Sequence, residues 1–390
     1  MSDTGRKQIR VMIVDDSALM RKLLSAALKR DPAIEVVATA LDGQFALDRL
    51  ARVRPDVVLM DVDMPRMDGL GALDRIVAEY GLPVVMCSSQ TTAGARSTIE
   101  ALARGAVDFI EKPSLSALTS GSAAEGICSK VREAMGARIK TRGAGLPESR
   151  PSETTVPPKA VSNPSTTNAI LKISELARVT RPEIIAIGTS TGGPPALEQV
   201  LSALPANFPL GIVIVQHMPP GFTSQLAVHL NRQCAINVRE AVSRERLEPG
   251  VALIAPGNSH LRVIREGNAY LVTVDELMPP VCGHRPSVDV LFESVASSTE
   301  GRAAAFIMTG MGSDGAEGSG KLVDAGAITV AQTPDSCICF GMPKSVIDRG
   351  HARAIIPLDT IAQAIGACAQ VKQSQLFPPV ESQYDKSPGR

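Results

Sequence analysis

Glu183-Ile-Ile-Ala-Ile-Gly-Thr-Ser-Thr-Gly-Gly-Pro-Pro-Ala-Leu197 begins as an apolar run, breaks at Gly188, and resumes as a helix-compatible stretch after two prolines, at Ala196–Leu201. The run has the length and residue types of a buried strand. A serine at such a strand-to-helix turn stands beside the free N–H groups of a helix start. Ser190 is therefore placed for a nucleophile whose product is an oxyanion. The plainer reading of that one residue is a helix N-cap, the commoner fate of serine before a helix.

The same unit recurs along the chain. In the first 140 residues, strand-like runs at 10–14, 36–40, 57–60, 83–87 and 107–110 alternate with helical patterns such as 18–29, 46–51 and 92–104. Five strands alternating with helices imply a parallel sheet covered on both faces. Residues 143–165 are rich in Pro, Ser, Thr and Gly and lack apolar periodicity, as a flexible linker does. Alternation resumes near Pro182 and runs to about Gln370; the last residues, from Gln373, are polar with three prolines and read as a disordered tail.

Composition narrows the function. The 390 residues carry 40 Lys+Arg and 40 Asp+Glu, so no bulk field draws the chain to nucleic acid or membrane. Aromatics are 3% and Trp is absent, which disfavours a base-stacking surface. No apolar run reaches membrane-spanning length and the N-terminus has no signal-peptide core, so a cytoplasmic protein is expected. The seven cysteines show no zinc spacing. The closest pair, Cys337 and Cys339, alternates with apolar residues and reads as strand filling rather than a redox sensor.

Polar residues sit at four strand ends of the first unit: Asp15 and Asp16, then Asp61, then Ser88 and Ser89, then Lys112. Ligands of such sheets bind beyond the carboxyl ends of the strands. Three converging carboxylates call for a cation, and oxygen-only ligands suit Mg²⁺. A lysine and a hydroxyl beside them suit a phosphoryl group. With Val57-Val-Leu-Met-Asp-Val-Asp-Met-Pro-Arg-Met-Asp-Gly69 and Phe109-Ile-Glu-Lys-Pro113, this stretch resembles a two-component receiver domain over residues 8–125. The resemblance implies a flavodoxin-like (βα)5 fold with Asp61 as phospho-acceptor. It implies Mg²⁺ held by Asp16, Asp61 and the Asp63 carbonyl, with Asp15 acting through water. Ser88 and Lys112 take the phosphoryl-binding positions and Phe109 the switch-aromatic position.

In the second unit, Gly188-Thr-Ser-Thr-Gly192 matches the loose G-x-S-x-G pattern. His217 comes after another buried run and sits at a strand end one β-α unit on. Asp314 comes after the run Ala303–Thr309 in Gly310-Met-Gly-Ser-Asp-Gly315. That loop is also a literal G-x-G-x-x-G, but a dinucleotide site needs an acid closing the next strand, and that strand ends in Gln332. The order Ser–His–Asp differs from that of the α/β-hydrolase fold, so the expected architecture is a doubly wound parallel sheet of another kind. His229 reads as packing or surface, and His260 and His284 lie in polar surroundings.

Gly188–Gly193, Gln216–Thr223, Ala255-Pro-Gly257, His284-Arg-Pro-Ser-Val-Asp289, Met308–Ala316 and Phe340-Gly-Met-Pro343 together resemble the chemotaxis protein-glutamate methylesterases. The family usually has Ala at Thr189. The resemblance implies catalytic Ser190, His217 and Asp314, an oxyanion hole using the Met311 N–H, and no cofactor in the esterase site. It implies receptor glutamate γ-methyl esters as substrate with glutamine deamidation besides, a histidine kinase as phosphodonor, and a receiver that obstructs the site until phosphorylated. The expected division is a receiver at 8–125, a connecting helix and linker at 126–180, a catalytic domain at 181–371 and a tail at 372–390, in a monomer. A scaffold with a dead hydrolase, or a transcription regulator, fits less well: the three catalytic positions are intact and no helix-turn-helix pattern appears.

Overall fold

The computed structural model describes residues 8–89, 91–113, 122–138 and 164–370. Most of the expected linker, and all of the expected tail, lie outside the described residues.

The first sheet has the order β2-β1-β3-β4-β5, with every pair parallel. Its strands are β1 (Ile9–Val14), β2 (Ile34–Ala40), β3 (Val57–Asp61), β4 (Val84–Ser88) and β5 (Asp108–Glu111). Helices α1 (Ala18–Leu28), α2 (Gly43–Val53), α3 (Gly69–Arg75, extended by a π-turn to Tyr80), α4 (Thr92–Arg104) and α5 (Ser122–Met135) cover both faces. Most starts are capped as their sequences foretell: Ser17, Asp42, Asp68 and Thr91 each accept a hydrogen bond from the first turn of the helix they precede. Helix α5 buries Ile127, Val131 and Ala134 in a core shared with α1 and β1. It therefore completes the first domain and is not part of the connecting segment.

Helix α6 (Pro164–Thr180) likewise belongs to the second domain, because Ile173 and Ala177 are fully buried against it. The second sheet has the order β15-β14-β13-β6-β7-β10-β8, again all parallel. Its strands are β6 (Ile184–Thr189), β7 (Gly211–Gln216), β8 (Asn237–Glu240), β10 (Val251–Ile254), β13 (Ala303–Ile307), β14 (Ile328–Gln332) and β15 (Ala354–Ile356). The central strands are buried throughout, which is why they read as continuous apolar runs. Helices α7 (Gly193–Leu201), α8 (Phe222–Gln233), α9 (Val288–Thr299), α10 (Ala316–Asp324), α11 (Met342–Asp348) and α12 (Leu358–Cys368) flank it.

Three features depart from the sequence reading. A small antiparallel sheet, β11-β12-β9, is formed by β9 (Glu245–Arg246), β11 (His260–Glu266) and β12 (Ala269–Asp275). Its charged, half-buried strands lack the apolar density of the main sheet. Helix α7 starts at Gly193, so Pro194 and Pro195 lie inside its first turn, where a missing N–H costs nothing. Cys337 and Cys339 lie in a loop, not a strand; burial pushes their thiols up to about 12 and about 11, away from the thiolate form.

The two domains pack together. One apolar cluster runs from Ala95, Ile99 and Phe109 of the first into Phe222, Leu226 and Leu197 of the second.

Candidate active site

Strands β6 and β13 lie side by side, and the chain leaves them in opposite directions, β6 toward β7 and β13 toward β14. A crevice opens at such a switch point. Ser190 comes directly after β6 and Asp314 lies in the loop after β13. His217 comes directly after β7 and is anchored by its N–H to the Thr189 carbonyl, 3.2 Å. The three predicted residues thus share one sheet edge.

The turn at Ser190 is made by Gly192, at φ +77°, and closed by the Gly193 N–H on the Ser190 carbonyl, 2.8 Å. Gly193 must be glycine, since a Cβ there would overlap the Gln216 side chain. Gln216 stitches the two strand ends together. Its amide donates to the carbonyls of Ser190 (2.9 Å) and His217 (3.2 Å), and its oxygen accepts from Thr189 Oγ1 (2.7 Å). The hydroxyl that Thr189 brings in place of the family's Ala is therefore satisfied within a fully buried turn.

Asp314 is fixed by four donors. Its Oδ1 accepts from Ser287 Oγ (2.7 Å) and the Asp289 N–H (3.0 Å); its Oδ2 accepts from the Val288 N–H (2.7 Å) and His217 Nε2 (2.8 Å). Two of these are free amides at the start of α9, a natural seat for an anion. Burial alone would push this carboxyl up; the His217 hydrogen bond and charge, with the amides of Asp289 and Val288, outweigh it and hold it at about 2. Because Asp314 takes Nε2, the other ring nitrogen of His217, Nδ1, is left buried with no hydrogen-bond partner. Ser190 is 5% exposed, and among the described residues its hydroxyl is bonded neither to His217 nor to any other group.

His284, whose polar surroundings gave it no role in the sequence, stacks face to face on His217, with ring centroids 3.8 Å apart and planes at 8°. Burial, then the neighbouring His217, lower its pKa to about 4, so His284 brings no positive charge beside His217 near neutral pH. His260, equally silent in the sequence, is completely buried behind Ser287. Neither could be found by strand-end position, since the hairpin and the helix N-terminus that place them give no apolar signal. Met311 is 38% exposed, and among the described residues its N–H donates to no group. Gly310 beside it packs on Ser190, where a Cβ would meet Ser190 Cβ.

At the first domain's sheet edge, Asp15, Asp16 and Asp61 present oxygens within 4.8 Å of one another. Lys112 Nζ lies 2.7 Å from Asp61 and 3.2 Å from Asp15. Asp15 Oδ2 is buried and lacks a properly directed hydrogen bond, so the coordination of a hard cation would satisfy it. Burial raises the Asp61 pKa, against the pull of Lys112, and Asp15 adds to the rise. Among the described residues, Ser88 Oγ, at the end of β4, is engaged only by a long contact to the Ser89 carbonyl, 3.3 Å.

The domain contact joins these two sites. Phe109 stacks on Phe222, with centroids 4.4 Å apart. Thr191, next to Ser190, donates from its hydroxyl to Asp108 of β5 and touches Glu133 of α5 (2.9 Å), with Lys130 pairing both acids. Arg138 binds Asp335 (2.8 Å) and the Ile338 carbonyl, and Ile338 lies against Gly192. A cavity of about 790 Å³ is lined by residues of both domains, among them Ser89 and Lys112 of the first and His217 and Pro219 of the second.

Known proteins share both halves of this arrangement. The CheB methylesterase family matches residues 185–365, and the response regulator receiver domain family matches residues 11–120. A protein-glutamate methylesterase/protein-glutamine glutaminase of Symbiobacterium thermophilum is 44% identical over 94% of this chain and 98% of its own length. One of Xanthomonas campestris is 48% identical over 91% of this chain and 99% of its own. The crystal structure of the Thermotoga maritima CheB methylesterase catalytic domain is 38% identical, covering 47% of this chain and 97% of that one, with a TM-score of 0.46. Among the described residues no helix is long and apolar enough to cross a membrane. Full-length likeness to such relatives, with both domain families in the same order, means that this chain belongs to the CheB methylesterase family and carries its receiver domain.

Proposed function

We propose that the chain hydrolyses glutamate γ-methyl esters on chemoreceptors, releasing methanol, and deamidates receptor glutamines, as part of chemotactic adaptation in the cytoplasm. The observation that carries this reading is that His217, anchored by Asp314 through Nε2 and with Nδ1 free of any hydrogen bond among the described residues, directly follows the strand paired with the one that Ser190 follows. In this reading His217 Nδ1 takes the Ser190 proton as Ser190 Oγ attacks the ester carbonyl. The tetrahedral oxyanion forms beside the Met311 N–H. Its collapse expels methanol, which takes the proton from His217, and leaves an acyl-serine. Water, deprotonated by His217, then attacks the acyl carbon; the bond to Ser190 Oγ breaks, that oxygen takes the proton back from His217, and the glutamate is freed. A glutamine side chain takes the same course and releases ammonia. Asp314 keeps the ring in the required tautomer and balances the imidazolium charge. Incubation with a methylated receptor cytoplasmic fragment, reading methanol, tests the assignment; the expected result is catalytic release, and none would overturn it.

Asp61 is the phospho-acceptor in this reading, with a histidine kinase as donor. Asp16, Asp61 and the Asp63 carbonyl would hold Mg²⁺, with Asp15 behind them; bound there, the ion neutralises charge on the phosphoryl oxygens. Lys112 and Ser88 bind those oxygens. Asp61→Asn should take up no label from acetyl phosphate in Mg²⁺, while the parent chain does. Label persisting on the variant would point to another acceptor.

The docked receiver holds the monomer inactive: Thr191 is clasped by receiver acids and Phe109 is spent on Phe222, so a receptor helix cannot reach Ser190. Phosphorylation releases it. A fragment opening a few residues before Pro164, which retains α6, should release methanol faster than the full unphosphorylated chain. Acetyl phosphate with Mg²⁺ should bring the full chain toward the fragment's rate or beyond it. Equal initial rates in all three samples would leave the receiver a docking role alone.

A further inference from the structure

Behind Asp314 runs a chain of hydrogen bonds that the catalytic reading leaves unused. Ser287, the residue just before α9, donates its hydroxyl to Asp314 Oδ1, 2.7 Å. Its N–H donates to Nδ1 of His260, 3.2 Å. The other nitrogen of that ring, Nε2, lies 3.1 Å from the Pro279 carbonyl. An amide can only donate and a carbonyl can only accept, so both partners demand the same tautomer: Nδ1 bare and Nε2–H donating. The ring is wholly buried at the start of β11.

The outer anchor is itself held. Arg285 donates to the carbonyls of Glu276 (2.9 Å) and Met278 (3.1 Å), and its other guanidinium nitrogens bind Asn258 Oδ1. Asp275 Oδ1 accepts from the N–H groups of Leu277 and Met278. The Pro279 carbonyl therefore belongs to a shaped loop. A residue that bridges such a loop to Ser287 sets where that hydroxyl, and the amides of Val288 and Asp289 beside it, meet Asp314.

We infer that His260 is a positioning residue for the esterase reaction: bonded at both ring nitrogens, it fixes Ser287 and through it the orientation of Asp314 toward His217. This rests on the Ser190–His217–Asp314 reading. His260 touches no reacting atom, so its loss should fall on kcat and leave substrate binding alone.

The test compares His260→Asn, His260→Gln and His260→Leu by methanol release from methylated receptor fragment, with thermal melting as the folding control. Asparagine puts an acceptor oxygen where Nδ1 stood and gives up only the outer bond to the Pro279 carbonyl; glutamine and leucine leave the Ser287 N–H, the bond nearer Asp314, without an acceptor. Asparagine should keep kcat within about 3-fold. Glutamine and leucine should lose about 10- to 100-fold in kcat, with KM within about 2-fold, by analogy with the loss when groups that orient a metal's ligands are removed. Should the leucine variant not fold, the Asn–Gln pair decides. Equal losses in all folded variants, a loss confined to KM, or a leucine variant matching the parent would overturn the inference. Nitrogen-15 correlation spectra of the ring should show the proton on Nε2; a proton on Nδ1 would also overturn it. Ser190→Ala separates the two levels. If that variant stays active, the triad reading itself fails; if it is dead while the His260 series is flat, only His260's role is lost.

Discussion

Ser190→Ala should lower methanol release by about 10⁴-fold or more while leaving the melting temperature unchanged. The two halves of that result come from different observations. The covalent step has no other nucleophile at the β6 end: Thr191 is committed to the receiver acids and Thr189 to Gln216. Stability should not move, because among the described residues the Ser190 hydroxyl makes no hydrogen bond that alanine would break, and the turn is held by Gly192, Gly193 and Gln216. The double variant Ser190→Ala/His217→Ala should be hardly slower than either single one, since members of a triad act as a unit. Activity above a tenth of the parent, or clean multiplicative losses in the double variant, would remove Ser190 from this role.

Asp314→Asn should cost about 10³- to 10⁴-fold in kcat, the scale of the same change in serine protease triads. All four of its partners donate. An amide nitrogen at Oδ1 faces the Ser287 hydroxyl and the Asp289 N–H; at Oδ2 it faces the Val288 N–H and His217. In the second placement His217 is driven to the tautomer with Nδ1 protonated, which cannot take the serine proton. Either placement strands at least one buried backbone donor, costing about 1–3 kcal/mol of stability. The pH dependence has a definite sign. The folded carboxyl titrates at about 2, below an unfolded value of about 4, so its stabilisation is full above pH 4 and lost as pH falls toward 2. The stability gap between parent and variant, from urea melts, should therefore narrow below about pH 4. A constant gap, or a kcat within 10-fold, would contradict this account.

Most of the receiver was legible in the sequence because buried parallel strands announce themselves. Val57–Met60 and Pro83–Cys87 are apolar runs, and the residue closing each is polar. The same logic brought Ser190, His217 and Asp314 together, each just past such a run. It failed for residues presented otherwise. His260 opens a half-buried antiparallel strand interrupted by Arg262, Arg265 and Glu266, and His284 comes from a short bridge between Val281 and His284. Gln216 looked like the polar end of a strand, although its side chain ties the turn at Ser190 together. The domain contact was beyond reach for another reason: Phe109 and Phe222 lie 113 positions apart in sequence, and their meeting depends on how two finished domains dock.

The shared apolar cluster between α4 and α8 has a consequence for the amplitude of signalling. In the proposed scheme, docking of the receiver is an intramolecular association with its own equilibrium constant. Release can raise activity by no more than the ratio of docked to undocked molecules at rest, so each 1.4 kcal/mol held in that contact widens the attainable gain tenfold. The same energy must be matched by the phosphoryl group's preference for the undocked form. A tighter contact thus lowers leakage and, beyond that point, leaves the phosphorylated chain partly shut. The Phe109–Phe222 pair sits at the balance between a quiet resting state and a full response.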